Sequence, residues 1–141
     1  MKAIRAALLA FIMAISSIGC LSPCPSIDPQ MEAISRLDDY MIPLAKAVDV
    51  IADKLPPNAK DNEIFKAAVE RSENPELLEP FNGYVLRARI QDGVGVILLC
   101  SKDGKEGIIE DVSCTTRPDT HRPSGSPCTY LLDVKAVCQA R

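Results

Sequence analysis

Two Asp-Gly dipeptides in the second half of the chain constrain its fold more than any other feature. Asp92-Gly93 and Asp103-Gly104 each separate segments that are rich in Val, Ile and Leu. Asp-Gly is a preferred sequence for the tight turn of a two-residue β-hairpin, in which the turn residues adopt positive φ. We therefore predict three consecutive antiparallel strands, at residues 83–91, 94–101 and 106–115.

The same two turns predict the register of the strands. Pairing outward from each turn places Leu86 opposite Leu99 in the first hairpin and Leu99 opposite Ile108 in the second. Both hairpins then agree on one apolar face, which we expect to be buried. That face carries Tyr84, Leu86, Ala88, Ile90, Ile97, Leu99, Ile108 and Val112.

A fourth strand is predicted at Cys128–Cys138, where apolar and polar residues alternate. If Cys114 lies opposite Cys128, the apolar side of this strand, with Tyr130 and Val134, joins the buried face. This agreement predicts a Cys114–Cys128 disulfide that closes the polar loop between the third and fourth strands.

Two helices are predicted before the sheet. Between residues 31 and 55 apolar residues recur every three or four positions, as on one face of an α-helix. Pro43 is expected to kink this helix rather than split it, because the apolar stripe keeps its phase across the proline. The second helix is predicted at about Glu63–Ser72, with Asp61 or Asn62 as its N-cap.

The beginning of the chain has the pattern of a secretory signal. Lys2 and Arg5 precede the apolar run Ala6–Ile15, and small residues follow before Cys20. Spanning a bilayer takes about 20 apolar residues, so this run is too short for a transmembrane helix. The chain is therefore expected to be exported.

The residues Ser17-Ile18-Gly19-Cys20 resemble the lipobox of bacterial lipoproteins, with Ser17 where Leu is usual. The resemblance implies that Cys20 receives the lipid and becomes the new N-terminus. It also implies sorting to the outer membrane, with the domain facing the periplasm, because Leu21 rather than Asp follows the cysteine. The alternative is ordinary cleavage near Gly19, which leaves Cys20 as an unmodified secreted cysteine.

These patterns divide the chain into three parts. Residues 1–19 are the signal peptide, residues 20–30 a lipid-anchored proline-rich tether, and residues 31–141 a single domain. The tether contains three prolines between Leu21 and Gln30, which favour an extended spacer. The domain is predicted to be α+β, with two helices packed on a four-stranded antiparallel β-meander in two layers, stabilised by disulfides. Its element order is similar to the small helix–helix–sheet domains of some envelope lipoproteins.

Six cysteines in an exported chain indicate an oxidising compartment and disulfide bonds. If Cys20 is lipidated, five cysteines remain, and five cannot all pair. Beyond the predicted Cys114–Cys128 bridge, the partners of Cys24, Cys100 and Cys138 stay open. The alternative is a protein with three disulfides, in which Cys20 pairs.

The charge of the chain excludes one class of partner. The formal net charge of −3 becomes −5 once Lys2 and Arg5 leave with the signal. Nucleic-acid binding needs clustered Lys and Arg for the phosphates, so we do not expect it. Membrane contact is expected through the lipid alone.

The sheet face away from the helices is the candidate partner-binding surface. It mixes apolar and charged side chains, as protein-binding surfaces do. Alternatively, loops or the tether cover it, or the central strand is apolar on both sides. Arg87 and Arg89 have a structural interpretation too, as cross-strand partners of Asp133 and Asp111. The candidate residues are Arg87, Arg89, Val96, Leu98, Ile109 and Leu131.

Two side chains raise the question of catalysis. Glu110 falls on the predicted buried face, where a carboxylate would be a functional candidate unless a β-bulge or the sheet margin releases it. His121 lies in a loop with Asp119, Ser124 and Ser126, but this loop has no nucleophile elbow to hold a serine against a base. Neither zinc-binding spacing nor a phosphate-binding glycine loop is present, so no metal or cofactor is predicted.

The sequence thus predicts a small exported envelope lipoprotein that acts as a non-catalytic protein-binding or structural module. Its expected partners are the membrane, through the lipid on Cys20, and another envelope protein. The alternative is a freely secreted, disulfide-rich inhibitor, effector or toxin-immunity protein without lipid. A small hydrolase that uses His121 is the third hypothesis.

Overall fold

The computed structural model describes residues 29–115 and 120–139. The predicted signal and most of the tether, including Cys20 and Cys24, lie outside the described residues. The helices are α1 (Pro29–Ala52), α2 (Asp61–Ser72) and α3 (Val134–Gln139), with a 3-10 turn at Glu79–Phe81. The strands are β1 (Val85–Gln91), β2 (Val94–Cys100), β3 (Gly107–Val112) and the two-residue β4 (Thr120–His121).

Helix α1 is continuous through Pro43, as predicted, and begins two residues earlier than predicted, at Pro29. A proline is well tolerated in the first turn of a helix, because its missing N–H would have no partner there. Pro43 lies on the exposed side of α1. The opposite side is the predicted apolar stripe, and its residues Leu37, Met41, Leu44, Val48 and Ile51 are buried.

Helix α2 buries the predicted residues Ile64, Phe65 and Ala68. Its N-terminus differs from the prediction of an Asp61 or Asn62 cap. The Lys60 backbone N–H, just before the helix, donates to Glu63 Oε2 at 2.8 Å. A glutamate at the third helical position can reach back in this way, as in a capping box.

The first hairpin has the predicted register. Leu86 pairs with Leu99, and Ala88 pairs with Ile97. The turn residues Asp92 and Gly93 both have positive φ, 55° and 77°, as the two-residue turn requires.

The second hairpin follows the predicted register only next to its turn. Ser101 N donates to Glu106 O, and Cys100 pairs with Gly107. A β-bulge then shifts the pairing by one residue, so that Leu99 pairs with Ile109 instead of Ile108. Because side chains alternate between faces, the rest of β3 faces opposite to the prediction.

The main core lies between the helices and one face of the sheet. Helix α1 packs on β2 and β3, and α2 packs on β1. The bulge brings Ile109 into this core, which the prediction had placed on the other face. The central sheet residues of this core are Ala88, Ile90, Ile97, Leu99 and Ile109.

The predicted fourth strand is wrong. Residues 128–133 cross the second face of the sheet without joining its ladder, and α3 begins at Val134. Asp133 explains the change of structure, because its Oδ1 accepts the backbone N–H of Lys135 at 2.9 Å and acts as an N-cap. The meander therefore has three strands, and β4 adds a two-residue pairing to β3.

The second face is covered, so the two-layer prediction is also wrong. Residues 122–139, called the C-terminal segment below, follow β4, and their part from Cys128 onwards packs over this face as a third layer. Tyr130, Leu132 and Val134 of this segment contact the apolar cluster around Val96 and Val112. The alternation predicted for these residues is correct, although they form an extended segment and a helix rather than a strand.

A close approach between α1 and β2 generates a stability prediction. A Cβ at Gly95 would collide with Val48 Cγ1 and would lie 3.2 Å from Ser113 Oγ. Gly95→Ala is therefore expected to lower the free energy of unfolding by about 1–3 kcal/mol, measured by urea denaturation. Val48→Ala makes room for the added methyl, so the double variant should lose less than the sum of the two single losses. Additive losses would show that the two side chains do not compete for this space.

Candidate functional site

Two disulfides join the C-terminal segment to the sheet. They connect Cys100 with Cys128 and Cys114 with Cys138. The predicted Cys114–Cys128 bridge is therefore wrong, because it assumed that Cys128 starts a strand beside β3. Cys128 instead lies over β2, where it is buried with Leu98 and Cys100. In the chain-entropy model each bridge stabilises the fold by about 3.5 kcal/mol, because it restricts the unfolded chain.

Glu110 is the polar centre beneath the C-terminal segment. The register shift moves it from the helix side of the sheet to the second face, where it is fully buried. Its carboxylate pairs with the guanidinium of Arg122, which is also buried. The backbone N–H groups of Leu131 and Leu132 donate to Glu110 Oε1 at 3.0 and 3.1 Å. Both oxygens of the Glu110 carboxylate thus accept hydrogen bonds from groups of the C-terminal segment.

This buried pair generates a second prediction. Glu110→Gln keeps an acceptor for the two amides but leaves the charge of Arg122 buried and uncompensated. The loss in free energy of unfolding is expected to be about 3 kcal/mol, measured by urea denaturation. Adding Arg122→Met removes that charge, so the double variant should be more stable than Glu110→Gln alone.

The matched control for this prediction is Glu106→Gln, which makes the same chemical change at an exposed site. It should change stability by less than about 0.5 kcal/mol. A double variant that is less stable than Glu110→Gln would contradict the assignment of the loss to the uncompensated arginine.

The predicted partner-binding face is largely inside the protein. Val96 and Leu98 are fully buried beneath the C-terminal segment, and Ile109 is buried in the helix-side core. The residues that cover this face are those predicted as the fourth strand, whereas the alternative had named loops or the tether. Leu131 remains at the surface, with 67% of its area exposed.

Arg87 and Arg89 contact the C-terminal segment and α2 at the edge of the sheet. Arg87 Nε lies 4.0 Å from Asp61 rather than beside the predicted Asp133, and Arg87 also donates to the Cys128 carbonyl. The guanidinium of Arg89 lies 4.3 Å from the centroid of the Tyr130 ring. The predicted Asp111 pairs with Ile97, which places it on the helix side of the sheet.

Tyr130 is held in an apolar environment at this edge. Its hydroxyl is buried and has no hydrogen-bond partner among residues 29–115 and 120–139. Burial raises the pKa of Tyr130 above its ordinary value of 10, and the negative charge of Asp61 adds to this effect.

The raised pKa of Tyr130 predicts a loss of stability at alkaline pH. Above about pH 10 the tyrosine ionises in the unfolded chain but stays protonated in the folded protein, so stability falls as the pH rises. Tyr130→Phe is expected to weaken this dependence between pH 8 and 10.5, measured by urea denaturation at each pH. Tyr40→Phe is the control, because Tyr40 is exposed. Equal pH dependence in Tyr130→Phe and wild type would contradict the prediction.

His121 joins β4 to α1. Its Nε2 lies 2.7 Å from Asp38 Oδ2. Ser126 Oγ donates to the Pro123 carbonyl at 2.7 Å. Asp119, which the hydrolase hypothesis also invoked, lies outside the described residues. In the described structure, His121 thus contacts Asp38 and Ser126 contacts the Pro123 carbonyl, instead of contacting each other.

A groove runs along the outer side of α1, and the sequence analysis missed it. Three adjoining depressions form it, and the middle one, between Tyr40 and Pro80, has a volume of about 460 Å³. Pro80 lines both the middle depression and the one near Glu32. Pro43 lines both the middle depression and the one near Val50. We call it the α1 groove. It is lined on the helix by Glu32, Ala33, Arg36, Leu37, Tyr40, Pro43, Lys46, Ala47 and Val50, and opposite by Arg71, Ser72, Asn74, Glu76, Leu77, Glu79, Pro80 and Tyr84.

The α1 groove concentrates exposed apolar area. In the described part of the chain, four large hydrophobic side chains are exposed, and three of them line this groove. They are Tyr40 (48%), Val50 (45%) and Tyr84 (37%). Six of the helix-side lining residues are spaced by three or four positions, and this second stripe is visible in the sequence: Glu32, Arg36, Tyr40, Pro43, Ala47 and Val50.

Among the described residues, no group of three or more His, Cys, Asp or Glu side chains is arranged to hold a metal ion. No helix within residues 29–115 and 120–139 is both long and apolar enough to cross a bilayer. Comparison of the chain with protein families, with curated proteins and with solved structures gives no significant match.

Proposed function

We propose that this chain is an exported, lipid-anchored protein of the cell envelope, and that its domain binds another protein without catalysing a reaction. The observation that carries the binding proposal is the α1 groove. Singly scattered apolar side chains are normal on a protein surface, but three of them lining one groove are typical of a binding site. We therefore assign partner binding to this groove and not to the sheet face that the sequence had predicted.

The disulfide pairing supports the lipid anchor because it does not use Cys20; with Cys20 lipidated, Cys24 is the one cysteine left over. Four cysteines pair with one another within the domain, so Cys20 and Cys24 are not needed for its bridges. Cys20 is thus available for the lipid that the lipobox resemblance implies. The same observation also favours a second candidate, a freely secreted protein with a third bridge between Cys20 and Cys24.

The non-catalytic proposal is supported by the contacts of Glu110, one of the two residues considered for catalysis. Glu110 is buried against Arg122 and two backbone amides. A general base must be free to reach a substrate proton, and the contacts of Glu110 leave it no such access.

The tether length limits where the partner lies. Nine residues, from Cys20 to Asp28, precede the first residue of α1. Fully extended, they span at most about 30 Å. An anchored domain therefore stays close to the membrane surface, and its partner is a membrane protein or a protein held near the membrane.

Metabolic labelling and intact mass together test the anchor. Label from a palmitate analogue is expected in the wild type and absent in Cys20→Ala, while Cys24→Ala should keep it. A mature mass without acyl chains and with six oxidised cysteines would overturn the lipoprotein proposal and establish the secreted protein with three bridges.

Photo-crosslinking in intact cells tests partner binding. A photoreactive residue in place of Val50 is expected to give a discrete protein adduct. Tyr40→Ala, which removes another apolar side chain of the α1 groove, should reduce this adduct at least about fivefold, because the partner loses a buried anchor. Leu131→Ala is the control, because Leu131 is an exposed apolar side chain outside the groove, and it should leave the adduct unchanged. An adduct that is insensitive to Tyr40→Ala would remove the groove from the proposal.

A further inference from the structure

The charges along the α1 groove change sign from one part to the next. In the middle, beside Tyr40, the lining carries Glu76 and Glu79 and no basic side chain. Within the described chain, neither glutamate forms an ion pair with a Lys, Arg or His. The middle of the groove is therefore an exposed apolar surface with uncompensated negative charge.

The two ends of the groove differ from its middle. At one end, Glu32 and Arg36 neutralise each other, with 2.7 Å between their charged atoms. At the other end, beside Val50, the lining carries Lys46 and Arg71 and no acidic side chain. The groove thus presents a neutral end, an acidic middle and a basic end, in that order.

From this order we infer that the α1 groove binds an amphipathic segment of the partner protein that carries Lys or Arg at its centre among apolar residues. The inference rests on the proposed function and names the chemistry of the partner. Tyr40, Glu76 and Glu79 line the same depression, which therefore offers a bound cation two carboxylates and an aromatic ring. The apolar residues of the segment pack on Tyr40, Val50 and Tyr84.

The length of the groove fits a helical segment. From Glu32 to Val50, α1 rises by about 27 Å, which corresponds to about five helical turns. A partner helix of this length can place apolar side chains at intervals of three and four residues along the groove. Its cationic residues lie near its middle turns.

The charge order disfavours a second copy of this chain as the occupant. In a two-fold symmetric dimer, two α1 helices would pack antiparallel about the centre of the groove, near Tyr40. Glu76 and Glu79 of both copies would then face each other across the axis. Like charges at the centre of an interface oppose association, so the observations favour a different protein.

Two synthetic peptides test the inference. One, the Leu/Lys peptide, is an 18-residue amphipathic helix of Leu and Gln that carries two Lys at its centre and a fluorescein label, and the other replaces these two Lys by Glu. The protein is the mature chain with Cys20→Ala, which leaves out any lipid. Fluorescence anisotropy is expected to show at least about tenfold tighter binding of the Leu/Lys peptide.

Charge reversal in the groove provides the decisive comparison. Glu76→Lys/Glu79→Lys should reverse the order of the two affinities, and Glu76→Gln/Glu79→Gln should remove most of the difference. Glu70→Lys/Glu106→Lys is the matched control, because it makes the same charge change at exposed positions outside the groove lining and should keep the wild-type order. Far-UV circular dichroism confirms that each variant is folded before its affinities are compared.

Equal affinities of the two peptides for the wild type, or an unchanged order in Glu76→Lys/Glu79→Lys, would overturn the inference. The outcome is separate from that of the proposed function. A groove-dependent crosslink together with an unchanged peptide order means that a partner exists but is not cationic. A reversed peptide order without any crosslink supports the groove chemistry and removes the proposed partner binding in cells.

Discussion

The buried contact between Glu110 and the C-terminal segment is the interaction on which the rest of the structure depends. A carboxylate without partners in this position would be strongly unfavourable, because burial removes the water that stabilises its charge. Arg122 and the amides of Leu131 and Leu132 replace that water. They also determine where the segment crosses the sheet, and both disulfides then join residues that this crossing has brought together.

The sequence predicted those parts of the fold that are determined by local patterns. The stripe of α1, the buried face of α2 and the first hairpin are all correct, because each depends on periodicity or on one turn. The bulge in β3 entered the sequence analysis only as an alternative, because one added residue leaves apolar side chains on both faces. Its sequence signal was Glu110, a carboxylate that the regular register placed on the buried helix side and that the bulge moves to the second face.

The one-residue shift at this bulge also explains why the candidate binding site was misplaced. The prediction oriented β3 incorrectly, and a fourth strand then seemed to fit beside it with Cys114 opposite Cys128. In the structure the apolar side chains of the C-terminal segment cover Val96 and Leu98. A surface that is apolar in the sequence was therefore interpreted as a binding face, although it is an internal interface of the same chain.

The α1 groove could not be predicted in full, because half of its lining comes from residues 71–84, which meet α1 only in the folded protein. Its helix side was visible as a second stripe, but a stripe that contains Glu32, Arg36 and Pro43 has the composition of a solvated face. What distinguishes it is the wall opposite, where Leu77 and Pro80 turn an exposed helix side into a concave surface. Helix α1 thus has two sides that differ in environment, since the stripe around Met41 stabilises the core and the side around Tyr40 is the surface that we propose for partner binding.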